Sequence, residues 1–152
     1  MVLLIDANII LDVLLNRPDF VKDSAMIWKL CETEQMKGYV STLTFANLVY
    51  IMRKQLDPEK IEDVFHKLNL IFEFADFSVS DLTHAAELNW KDFEDAVQSV
   101  TAERIHADYI ITRNVRDAKR GGGRVAGIPH IAPAEENAVK QLEEDIVKKL
   151  GG

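Results

Sequence analysis

A single cysteine, Cys31, occurs among the 152 residues, so an internal disulfide framework is excluded. It sits in a helical apolar pattern beside Ile27 and Trp28 and reads as core packing, not as a nucleophile. Long apolar runs are missing too. No segment approaches the roughly 20 apolar residues a membrane-spanning helix needs, and the N-terminal run has no basic leader and is broken by Asp6. The expectation is a cytoplasmic protein without membrane contact. His66, His84, His106 and His130 stand far apart, with no H-x₃-H or CxxC partner, and read as structural or surface residues instead of zinc ligands. Positive charge is scarce. A net charge of −7 argues against sequence-blind coating of nucleic acid, whose affinity comes mostly from phosphate neutralisation.

One region reverses that sign. Between Arg113 and Arg124 stand five cations (Arg113, Arg116, Lys119, Arg120 and Arg124) against one acid, Asp117. A solvated loop is the bland explanation, and a local phosphate-binding surface is the functional one. The loop Gly121-Gly122-Gly123 is not a P-loop, because no Lys-Ser or Lys-Thr leads from it into a helix.

What the chain does contain is an ordinary globular balance, 47% apolar and 28% charged, at a length that suits one hydrophobic core. Val2-Leu3-Leu4-Ile5 reads as a short strand buried on both faces, ended by Asp6, with Asn8 capping a helix that follows. A second helix is expected from Pro18 or Asp19 to Gln35, with Ala25, Trp28 and Cys31 on one side and Gly38 as its left-handed stop. Tyr39 to Ser41 forms a strand, and Thr42 or Thr44 caps a helix carried by Leu48, Ile51, Met52 and Leu56. Asp57-Pro58 is a helix start. Leu70 to Phe74 reads as a strand, Ser80 as a helix start, Asp92 as another, and Tyr109 to Thr112 as a strand. A short final strand over Ile128 to Ile131 belongs at the sheet edge, since Pro129 cannot donate to a ladder, and a last helix begins at Pro133. This alternation calls for a mostly parallel central sheet covered on both sides, without repeats or linkers.

In such a sheet, residues that follow the strands gather along one edge. Asp6, Asn47, Asp92, Asp95, Asn114 and Asp117 are brought there, although Asp92 also has the simple reading of an N-cap with Asp95 favouring the helix dipole. Two bare carboxylates about 4 Å apart repel by about 4 kcal/mol at an effective dielectric near 20, so a cation is needed once several converge. Oxygen ligands of this kind suit Mg²⁺ or Mn²⁺.

Four segments in order, Ile5-Asp6-Ala7-Asn8-Ile9-Ile10-Leu11-Asp12, Ser41-Thr42-Leu43-Thr44-Phe45-Ala46-Asn47, Asp92-Phe93-Glu94-Asp95-Ala96 and Thr112-Arg113-Asn114, resemble the PIN domain, in its branch with a DFEDA-type helix and a TRN turn. The resemblance covers about residues 1–133, leaving 134–152 as a C-terminal helix that packs on the domain or on a partner. It implies a three-layer α/β/α sandwich and a metal-dependent endoribonuclease acting on single-stranded RNA, often the toxin of a VapBC-type pair. In its pattern Asp6 is the first acid and Asp95 the third. The second, usually Glu, is here Asn47, and the fourth, often Asp, is Asn114 with Asp117 nearby. Asp6, Asp95, Asp92 and Asn114 are therefore the candidate catalytic residues, joined by Asn47 and Asp117 as candidate ligands of Mg²⁺ or Mn²⁺. Thr112, Arg113, Arg116, Lys119 and Arg120 are candidate RNA contacts. RNA, an antitoxin protein and a second copy of the chain are the expected partners. Two other readings compete: a PIN-fold binding or regulatory module whose missing acids have weakened catalysis, and a haloacid-dehalogenase-type phosphatase. The latter wants a second acid two residues after Asp6, where Asn8 stands.

Overall fold

Val2, Leu3, Leu4 and Ile5 form strand β1 (Val2–Ile5) in the computed structural model, which describes residues 1–112 and 131–132. The run is apolar because each face of it is covered. Leu3 and Ile5 pack into one cluster with Ile9, Ile10, Ile27, Leu48 and Leu68, while Leu4 points the other way onto Ala102, Ala107 and Ile110.

After β1 come α1 (Ala7–Leu14), α2 (Val21–Glu32), β2 (Lys37–Ser41), α3 (Thr42–Met52), α4 (Pro58–Ile71), β3 (Glu73–Ala75), α5 (Val79–Glu87), α6 (Phe93–Arg104), β4 (Tyr109–Ile111) and β5 (Ile131–Ala132). All strand pairs are parallel, in the order β3-β2-β1-β4-β5. The expected α/β alternation around a parallel sheet is what the chain builds. It steps outward from β1 through β2 to β3, with α1 to α4 packed on the face that Leu3 and Ile5 occupy. It then crosses back to β4 on the far side of β1, and α6 covers the opposite face through Ala102. Right-handed crossovers require this change of face when the winding direction reverses. The carboxyl ends of β1 and β4 therefore flank the switch point, where open α/β sheets form crevices. The last described strand, β5, lies at the sheet edge as expected, but over Ile131–Ala132; residues 128–130 of the expected strand lie outside the described residues.

Several local expectations shift. The cap of α1 is Asp6, not Asn8, and Ser41 caps α3 in place of Thr42 or Thr44, its hydroxyl accepting from Thr44 N–H at 3.0 Å. Ser78 rather than Ser80 opens α5, in a capping box with Asp81. Helix α2 is shorter than expected and buries Ser24, Ile27, Leu30 and Cys31. The left-handed residue after it is Glu34, at φ 60°. Gly38 instead lies inside β2, where a Cβ would come 2.7 Å from Cys31 Sγ and 2.9 Å from Phe72 Cδ1, so the glycine serves close approach and not helix termination. Leu70 and Ile71 are the end of α4, not the start of a strand, and Leu70 is 86% exposed. Asp57 with Pro58 opens α4 as expected. Cys31 is buried, which pushes its thiol up to about 12, in keeping with a packing role. His66, His84 and His106 lie on the surface. The basic segment from Arg113 to Arg124, His130 and the helix expected from Pro133 fall outside the described residues.

Candidate functional site

Asp6 is held at the carboxyl edge by the backbone before its side chain contributes anything. Its N–H donates to Ile111 O at 3.0 Å, extending the β1–β4 ladder by one residue. The carboxylate then caps α1, Oδ1 accepting from Ala7 N–H at 2.8 Å, and Oδ2 accepts from the Thr112 hydroxyl at 3.1 Å. Thr112 follows β4 directly and is itself buried. With a donor on each oxygen, the carboxylate is held in one orientation. Thr112, expected among the RNA contacts, thus touches the first acid of the pattern.

The N-terminus of α6 supplies the other acids. Asp92 is its N-cap and accepts from Asp95 N–H at 3.1 Å, so the simple capping role is real. Glu94 and Asp95 occupy the first turn, where the helix dipole favours negative charge. From α3, the Asn47 amide donates to Glu94 Oε1 at 2.9 Å. Partial burial raises the pKa of Glu94, the Asn47 bond opposes that rise, and the charges of Asp6 and then Asp92 add to it. A second bond ties the same two helices: Gln98 Nε2 donates to Thr44 Oγ1 at 2.9 Å, and Thr44 Oγ1 also accepts from the Ser41 hydroxyl at 2.9 Å.

Of the predicted site residues, the structure brings together Asp6 and Thr112 directly. Asn47 bonds Glu94, and Asp92 and Asp95 share the helix start that carries it. Asn114, Asp117, Arg113, Arg116, Lys119 and Arg120 lie outside the described residues. Glu94 is the residue the sequence argument passed over. Its only signal was membership of the acidic Asp92-Phe93-Glu94-Asp95 tetrad, which does not say which carboxylate turns toward α3.

The donor set fits a hard divalent ion in kind, since every side chain gathered here offers oxygen and none offers sulfur or imidazole. Among the described residues no three of His, Cys, Asp and Glu are already spaced to ligate one ion. The second acid that a phosphatase would need two residues after Asp6 is not there. Asn8 holds that position, and its Oδ1 accepts from Arg17 at 3.5 Å.

A family model described as PIN domain matches residues 2–116. No curated protein sequence matches the chain closely enough to count as a relative. Among solved structures, the chain is similar to VapBC2 from Rickettsia felis, bound to a DNA fragment from its promoter, with a TM-score of 0.64 at 16% identity over 88% of this chain and 98% of that one. DNA-bound VapBC from Salmonella typhimurium gives a TM-score of 0.64 at 18% identity over 89% and 99%. FitAB bound to an IR36 DNA fragment gives 0.66 at 17% over 88% and 95%. At such identities the likeness is one of fold.

Proposed function

The chain belongs to the PIN domain family, and from that premise we propose that it is a divalent-metal-dependent endoribonuclease that hydrolyses single-stranded RNA, and the toxin of a toxin–antitoxin pair. The observation that carries this reading is Asp6, oriented by Ala7 N–H and the Thr112 hydroxyl at the switch point of the sheet. Similarity to VapBC complexes supports the antitoxin partner.

Asp6 and Asp95 would hold the ion, with Asp92, Asn114 and Asp117 as further ligands and Asn47 beside them, either Mg²⁺ or Mn²⁺ serving. Such an ion supplies Lewis-acid polarisation of the scissile phosphate and lowers the pKa of the attacking water. The chain's own residues do the rest. Thr112 keeps the Asp6 carboxylate from rotating, and Arg113, Arg116, Lys119 and Arg120 hold phosphates of a flexible strand next to it. The product is an RNA with a 5′-phosphate, and a second copy of the chain completes a homodimer.

Asn47 favours one other reading, since a neutral amide occupies the place of the family's usual Glu. On that reading the domain binds RNA without cutting it. Cleavage of several single-stranded RNAs across a Mn²⁺ titration, with Asp6→Asn as the blank, decides between them. Parent cleavage above the blank is expected. Parent activity equal to the blank at saturating Mn²⁺ sinks the nuclease and leaves the binding module.

A further inference from the structure

Resting on the metal-dependent reading above, we infer that Glu94 supplies the carboxylate missing at position 47, the two residues having exchanged roles: Asn47 positions, and Glu94 ligates. Helices α3 and α6 are tied by two bonds. Thr44 and Asn47, three apart on α3, meet Gln98 and Glu94, four apart on α6. These spacings are one helical turn each, so both bonds use a single face of each helix. The buried Thr44–Gln98 bond, backed by Ser41, fixes the distance between the helices, and Asn47 then selects where the Glu94 carboxylate rests.

Glu94 stands in the first turn of α6 between Asp92 and Asp95, and among the described residues no cation pairs with it. One oxygen, Oε1, takes the Asn47 amide proton, and Oε2 is left to face an ion shared with Asp6. A glutamate from α3 in the family's usual pattern and a glutamate from α6 here bring the same group to the same gap from opposite walls. The neutral Asn47 is then no loss of charge, because a second carboxylate at 2.9 Å from Glu94 would repel it.

The test is Mn²⁺ binding to the full chain by titration calorimetry, with folding of each variant checked by circular dichroism. Glu94→Gln, nearly isosteric, should weaken Mn²⁺ binding at least about tenfold, because ligand charge count sets affinity at such sites. The exchange variant Asn47→Glu with Glu94→Gln should return affinity to within about threefold of the parent, which a merely structural role for either residue would not produce. Glu94→Gln binding Mn²⁺ like the parent overturns the inference, as does a parent that binds no Mn²⁺. If Glu94→Gln loses Mn²⁺ while the parent cuts no RNA, the ligand assignment stands and the nuclease reading fails. If the parent cuts RNA and Glu94→Gln keeps both Mn²⁺ affinity and cutting, the reverse holds.

Discussion

Asp12 lies in the middle of α1 with no exposure at all, its oxygens met by the Ser24 hydroxyl at 2.7 Å and the Arg17 guanidinium at 3.4 Å. Glu94, in the first turn of α6, has an amide at 2.9 Å, two neighbouring carboxylates and no cation among the described residues. The two acids belong to one domain, but their surroundings are built to opposite ends. Around Asp12 the protein completes its own electrostatics and locks α1 to α2. Along the carboxyl edge it gathers acids, and no cation pairs with Glu94 among the described residues, an arrangement that suits sites for ions.

The comparison breaks most visibly if the paired acid loses its cation. Arg17→Met should destabilise the fold by about 3 kcal/mol, since a buried carboxylate loses its charged partner, and urea unfolding reads this directly. A loss below about 1 kcal/mol would show that Ser24 and the helix suffice for Asp12, and would erase the contrast.

At the edge the signs should invert. Asp6→Asn and Asp95→Asn should each weaken Mn²⁺ binding at least about tenfold, while the metal-free protein melts at the same temperature or higher because repulsion is relieved. Asn still caps a helix about as well as Asp, so α1 keeps its start. A lowered melting point in both variants, with metal affinity intact, would make these acids structural like Asp12.

The smallest effect on stability, none, is expected for Arg116, Lys119 and Arg120 replaced together by Ala. Their signature is confined to RNA: weaker binding and a salt dependence flattened by about 0.7 in slope for each lost phosphate contact. An unchanged slope would assign the basic run to solubility.

Much of this was legible in the residues themselves. Val2 to Ile5 could only be a strand covered on both sides, Asp57-Pro58 announced its helix, and Asp6 was placed at the sheet edge by its position after the first strand. The misreadings share a cause. Leu70, Ile71 and Phe72 form an apolar run that suits a strand or a helix end, and local pattern does not arbitrate at that length. Gly38 carries the signature of a helix stop, yet its reason lies across the fold in Cys31 and Phe72. Glu94 was hidden for the same reason. Three acids crowd one helix start, and only the arrival of α3 decides which of them meets Asn47.

The pairing of β1 with β4 also sets a clock. Asp6 cannot acquire its Thr112 partner until 106 further residues have been made, and Val2 waits equally long for Asp108. At about 5–20 residues per second, synthesis takes on the order of 10 seconds to supply them. Throughout that interval the nascent chain displays β1 without the strand that completes its edge. On the nuclease reading, the cutting site stays unassembled over the same interval.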